Sequence, residues 1–338
     1  MKFIKPIIAV ILLLVVAAFA YQHHVASLAK SAAGGAQAPI RVGTNRALGT
    51  VTPYVARDKG LFDKYGVNVQ IVDFNDITTL MESVASGQLD VALVGMSTPA
   101  IWQARGVRIK IVASANGGGH VLLTRKDTGI TTLAGLRGKK IATPKPGTVT
   151  DTIFRAHILG DLAHLNPERD VTIIPGMAAA DISTVLFATH EVSAAISWEP
   201  YASQAQAQFK DNVVLLDTAE EWRKTHPGKN LYPVNVVIAS QAFIDAHPDL
   251  LRKFLAAHTE ASNFINSSPD EANDIISKEM KLKKPIVESA RKRIDYTSKV
   301  DVDASLQTLA WSVQIGYLKK LPEPGQLFDL RFLPAEGK

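Results

Sequence analysis

Polar residues gather where the apolar runs of this sequence stop. Thr44 and Asn45 follow the first run, and Gly95, Ser97 and Thr98 follow the third. Gly147, Thr148 and Thr150 follow the first run of a second set, Trp198 and Glu199 follow a later one, and Asn235 lies in the last. Hydroxyls, amides and glycine backbones donate neutral hydrogen bonds, which suits holding a ligand better than transforming one. The stretch 139–157, KKIATPKPGTVTDTIFRAH, shows the pattern best, because Pro-Gly-Thr-Val-Thr stands where a strand turns into a helix. The first turn of a helix carries unpaired N–H groups and partial positive charge. Threonines there either cap the helix or help hold a small anion, and a glycine lets the backbone come close.

Signatures of bond-making chemistry are missing. VGMST is not a nucleophile elbow, the glycines at 117–119 do not extend to a dinucleotide fingerprint, and no phosphate-binding P-loop occurs. The nine histidines are spread out, and their only close pair, His23 and His24, lies near the start. No cysteine is present, which removes disulfides, thiolate metal sites and cysteine nucleophiles together. The expectation is a binding protein with no cofactor, no metal and no catalytic residue. Each polar position alone also suits a plain structural role. Ser97 and Thr98 could be caps, Trp198 core, and Glu199 a favourable acid in a first helical turn. Their shared placement at strand ends is what favours a cleft.

The elements that would position them alternate. From Ile40 the chain reads IRVGT, then a helical PYVARDKGLFDKYG, then NVQIVDF, TTLMESVASG, DVALVG, TPAIWQARG and IKIVAS. A second set runs KKIATP, TVTDTIFRAHILGDLA, VTIIPG, AADISTVLFAT, VSAAISW and PYASQAQAQF. Such alternation predicts an α/β fold of two lobes, each with a mostly parallel sheet. LDVALVGMSTPAI in the first set and HEVSAAISWEPYA in the second share the form strand, polar loop, proline, helix, with proline expected at the first helical position. Loops so placed lie at the carboxyl ends of strands, where open sheets bind ligands. HVLLTRK leads out of the first set and VNVVIAS ends the second. If both cross between lobes they form a two-segment hinge. The first lobe is then 40–126 plus 232–338, and the second 127–231. After VNVVIAS the chain reads as almost wholly helical.

The 338 residues suit two domains, and 46% hydrophobic with 20% charged residues is a globular composition. The net charge of +5 is spread out, with local basic clusters only at 278–284 and 291–293, so nucleic acid is not an expected partner. Lys2 and Lys5 precede an apolar run at 7–20 that ends in AFA, the form of a cleavable signal peptide over 1–20. The run is short for a bilayer span, although an uncleaved signal would leave a membrane anchor. Residues 21–39 read as a flexible leader.

Four segments, GLFDKYGVNVQIVDF, ASGQLDVALVGMSTPAI, LAGLRGKKIATPKPGT and AAISWEPYAS, resemble the substrate-binding proteins of ABC importers of the nitrate/sulfonate/taurine type. The resemblance extends from Ile40 to Leu318. It implies the type II periplasmic-binding-protein fold, with a two-segment hinge and a ligand held between lobes. It further implies a periplasmic monomer that delivers a small molecule to a permease and ATPase complex. On the family pattern Gly95, Ser97 and Thr98 fall in one ligand loop, Gly147, Thr148 and Thr150 meet the ligand's anionic end, and SWEPY implicates Trp198, as a wall of the cleft, together with Glu199. Two features depart from it: threonines stand where sulfonate binders often carry serines, and no lysine or arginine is placed in the cleft, although Lys145 is adjacent. Glu199 hints at a cationic second end of the ligand, as in taurine. The alternatives are a thiamine-pyrimidine precursor binder, a biosynthetic enzyme on the same fold, and a sensory or partner-binding module.

Overall fold

In a computed structural model of the chain, which describes residues 38–335, the apolar runs become two mixed sheets. The signal peptide at 1–20 and nearly all of the leader lie outside the described residues. The first sheet contains β1 (Ile40–Thr44), β2 (Val69–Asp73), β3 (Val91–Gly95), β4 (Ile109–Gly118), β10 (Pro233–Ser240) and β11 (Ile294–Tyr296), in the order β11-β4-β10-β3-β1-β2. The second contains β5 (His120–Arg125), β6 (Lys140–Ala142), β7 (Thr172–Ile174), β8 (Ala194–Trp198) and β9 (Asn212–Asp217), in the order β7-β6-β8-β5-β9. Runs such as VALV in β3 and AAIS in β8 are buried throughout, because helices cover both faces of each sheet.

Most strands of each sheet share one direction, as expected from sequence: β2, β1, β3 and β4 in the first and β7, β6, β8 and β9 in the second. The exceptions, β10 and β11 in the first and β5 in the second, run the opposite way. The reason is the nesting of the chain. β10 lies antiparallel to β3 in the first sheet, and β5 lies antiparallel to β8 in the second. Each of these strands enters its sheet from the other lobe, so it arrives in the opposite direction. Neither HVLLTRK nor VNVVIAS spans the gap itself. The crossings are the short Gly118–Gly119 joint between β4 and β5, and the return over 218–232, which includes the helix Thr218–Thr225. Sheet membership thus changes at Gly119 rather than after residue 126.

Gly118 and Gly119 have φ of 73° and 95°, a region open to glycine. A Cβ on Gly118 would also lie 2.5 Å from the Arg293 carbonyl. The joint is therefore restricted to glycine by both conformation and space.

The C-terminal part is helical with one exception. RIDY, read as the end of a helix, supplies β11, which pairs with β4 at the crossing. The helix Val302–Gln314 packs across the lobes. Its Trp311 donates to Asp161 Oδ2 at 2.9 Å and stacks on His157 of the second lobe at 4.6 Å.

Candidate functional site

The carboxyl ends of β1, β3, β6 and β8 converge on a cavity of about 110 Å³ between the lobes. The first lobe supplies Asn45, Ile77, Gly95, Thr98, Asn116 and Asn235 to its wall, and the second supplies His120, Pro144, Thr148, Thr150, Trp198 and Glu199. Eight of the eleven positions expected from sequence line this cavity. The other three serve it from behind or beside. Thr44 is fully buried and bonds Thr50 Oγ1 at 2.9 Å, while Thr50 donates to Asn45 Oδ1 at 3.1 Å. Thr44 thus braces the loop that carries Asn45. Ser97 is also fully buried, donating to Thr152 Oγ1 at 3.4 Å and accepting from Ser312 Oγ at 3.2 Å, so it ties the two lobes to the C-terminal helix. Gly147, at φ 86°, lines a neighbouring depression with Lys145 and Thr78.

The two proline turns differ from expectation. Only Met96 separates β3 from the helix Ser97–Ala104, so Pro99 is its third residue. Pro200 precedes the helix Tyr201–Gln208 as its N-cap. Both sites tolerate proline because the first N–H groups of a helix have no intrahelical acceptor.

In the stretch 139–157, the structure makes Thr148 a helix cap. Thr148 is the N-cap of a helix that begins at Val149 and continues through the π-helical turns Ile153–Leu162. Its hydroxyl accepts from the Asp151 amide at 3.4 Å and gives its proton to Lys145 O at 2.8 Å. That hydroxyl is therefore committed within the chain. The free donors of this turn are instead the first backbone amides, those of Val149 and Thr150. Thr150 is buried, and its hydroxyl lies 2.9 Å from His120 Nε2.

His120 and Asn116 were not singled out from sequence. Both flank the glycine joint in NGGGH, and that run of glycines is the one local signal of a tight crossing with side chains packed about it. Burial depresses the His120 pKa to about 3, so the imidazole is neutral at ordinary pH, and its Nδ1 has no partner among the described residues. Asn235 Nδ2 donates to Asn116 Oδ1 at 2.7 Å, which fixes both amides at the floor.

Glu199 is the only acid in the wall, and its side chain has no exposed surface. Oε1 accepts from Arg293 Nη1 at 2.7 Å and Ser203 Oγ at 3.0 Å, and Oε2 accepts from the Ser203 amide at 3.1 Å. Burial pushes its pKa up, and the adjacent Arg293 guanidinium opposes that. No lysine or arginine is among the cavity-lining residues. Lys145 reaches across the mouth instead, bonding Thr78 Oγ1 at 2.8 Å and Asp76 Oδ2 at 3.3 Å on the first lobe.

The sequence and the fold match known proteins. The NMT1/THI5-like family profile covers residues 50–272. The chain belongs to the NMT1/THI5-like family. A relative in Bacillus subtilis (strain 168), a putative aliphatic sulfonates-binding protein, is 28% identical over 270 residues, 78% of this chain and 76% of its own. A second relative, the 4-amino-5-hydroxymethyl-2-methylpyrimidine phosphate synthase of Aspergillus parasiticus, is 25% identical over 65% of this chain and 64% of its own. The periplasmic aliphatic sulphonate binding protein SsuA of Escherichia coli superposes with a TM-score of 0.71 at 21% identity, covering 87% of this chain and 92% of that one. The architecture is therefore the two-lobed periplasmic-binding-protein fold. Among the described residues of this NMT1/THI5-like chain, no group of three or more His, Asp or Glu could hold a metal ion.

Proposed function

We propose that the protein is an extracytoplasmic solute-binding protein of an ABC importer, and that it captures a small oxyanion-bearing ligand, an aliphatic sulfonate or a smaller anion such as nitrate or bicarbonate, in the cleft between its lobes. One observation carries the reading: both lobes present neutral donors to one small cavity, and no free cation or reactive pair accompanies them. The first amides of the helix at Val149 and Thr150 meet the anion with their positive end. Thr98, Asn45 and His120 contribute from the remaining walls. A cavity of about 110 Å³ is far below the roughly 300–1,000 Å³ typical for drug-sized ligands, so the cargo is a small one. Contacts from both lobes stabilise the closed form, and opening at the Gly118–Gly119 joint and the return segment would release the ligand to a permease and its ATPase. The protein acts as a monomer in the periplasm after cleavage near Tyr21, and performs no turnover.

The Aspergillus relative favours a second reading, in which the cleft handles a pyrimidine precursor, either as a binder or as an enzyme. A thermal-shift panel separates the two. Short alkanesulfonates, nitrate, bicarbonate and hydroxymethylpyrimidine are each added to the mature chain. A ligand at about 100 times its Kd adds roughly 2.7 kcal/mol to the stability of the native state. Stabilisation by the oxyanions, with the ligand recovered unchanged, supports the transport reading. Stabilisation by the pyrimidine alone, or chemical change of any ligand, overturns it.

A further inference from the structure

A carboxylate in the wall of an anion site needs explaining. If the side chain of Glu199 were open to the cleft, it would repel an oxyanion and attract an ammonium group. It is neither open nor unpaired. Three donors occupy its oxygens, and Arg293 is the charged one. Arg293 comes from the first lobe, just before β11, and reaches across to the second. There it also pairs with Asp217 at 2.5 Å and approaches Gln206 Oε1 at 3.4 Å. The Arg293 side chain is 16% exposed, and the Glu199 side chain it pairs with is fully covered. Asp217 in turn accepts from the amides of Ala219 and Glu220 as the cap of its helix, so its remaining demand on Arg293 is shared with backbone. The pair thus closes off the one negative charge that could have received a ligand cation.

We propose that Arg293 is a specificity-determining residue: by engaging Glu199 it leaves the cleft with neutral donors only, so that the site takes a small monoanion bearing no ammonium group and rejects its amino analogue. The inference rests on the oxyanion reading above and narrows it, because it reverses the hint that Glu199 gave in the sequence. An ammonium brought into this cavity would lose its water without gaining a counter-ion.

Calorimetry on matched pairs tests it. Ethanesulfonate is compared with taurine, and propionate with β-alanine, on the mature chain. The amine-free member of a pair that binds is expected to be tighter by about tenfold or more. Arg293→Gln should release Glu199 and narrow that ratio in favour of the amine. Glu199→Gln removes a buried negative charge and should strengthen both members by a similar factor, leaving the ratio in place. If Arg293→Gln does not fold, the Glu199→Gln ratio decides alone. Equal or tighter binding of the aminated member, weakened selectively by Glu199→Gln, overturns the inference while leaving the oxyanion reading intact. If no member of either pair binds and nitrate does not bind either, the oxyanion reading falls and takes this inference with it.

Discussion

Replacing Gly95 with alanine should separate binding from folding. Gly95 ends β3 in the first lobe, and Val149 opens the helix of the second. A Cβ at Gly95 would lie 2.7 Å from Val149 Cγ1 and 3.1 Å from its Cβ. Carbon atoms pack at roughly 3.5–4.0 Å, so the lobes would have to part by about 1 Å at this point. Nothing in the backbone of Gly95 itself demands glycine, because its φ is not positive. If the lobes part as proposed above, the clash is confined to the arrangement described here, and an open form avoids it. Overpacking of this kind costs about 1–3 kcal/mol. Charged to closure, that is roughly a 5- to 150-fold loss of affinity, with little change in the unfolding midpoint of the unliganded protein. Calorimetry with the best ligand of the panel, alongside urea unfolding, reads both quantities. Val149→Ala in the same chain removes the offending Cγ atoms and should restore most of the affinity. Wild-type affinity in Gly95→Ala, or a stability loss without a binding loss, would refute the closure argument. Failure of Val149→Ala to rescue would do the same.

Two further outcomes follow from the hydrogen bonds and the buried histidines. Thr148→Val loses a long cap bond and an exposed bond to Lys145 O, so stability should fall by about 1 kcal/mol and the melting temperature by about 2–3 °C. Its affinity should change by less than about threefold; a loss of tenfold or more, as expected for a donor to a charged ligand, would return Thr148 to the site. His120 and His258 have pKa values depressed by burial to about 3 and about 4. Below about pH 6.5 the unfolded chain takes up protons that the folded chain cannot, so stability that is complete above this pH drains away as the pH falls toward those values, by up to about 1.4 kcal/mol per pH unit for each histidine. Burial raises the pKa values of Glu199 and Asp151, which adds stability as the pH falls through the acid range, so the loss should be clearest between about pH 6.5 and 5. Urea unfolding across this window measures the slope. His258→Gln should reduce it by about half, and a flat profile from pH 7.5 to 5 would rule the account out.

The alternation of apolar runs and helical stretches was sufficient to read two lobes, their nesting and the ends of the strands that carry the cleft. Strand ends are local features, set by where an apolar run meets glycine, proline or a hydroxyl residue. What could not be read depended on partners distant in the chain. β9 and the helix after it went unread, because NVVLLD is a half-buried edge strand that continues straight into an acidic helix start. β11 looked like a helix end because three residues carry no period, and only β4 beside it makes them a strand. The site shows the same division. Thr98, Thr150 and Trp198 stand at strand or helix ends and were found by position, whereas His120 is in the wall because β5 opens there opposite Trp198 of β8. The roles of Thr148 and Glu199 hinged on Lys145 O and Arg293, and no spacing in the sequence reveals to whom a hydroxyl or a carboxylate is already bound.

The position of β10 has a consequence for the order in which this protein can be completed. β10 sits in the middle of the first sheet, hydrogen-bonded to β3 on one side and β4 on the other, yet it is made only after the whole of the second sheet. Until residues 233–240 leave the ribosome, β3 and β4 face each other across a missing strand, with open edges and no covering helices from the C-terminal part. The early chain can collect fragments of sheet but cannot finish a lobe. Pairings between residues so far apart in sequence form slowly. If the chain is exported as proposed above, such a delay is an advantage, since a chain that cannot close its first sheet early stays threadable for longer. The same order makes any chain truncated before β10 a source of unpaired strand edges, and hence of aggregation, rather than a smaller folded domain.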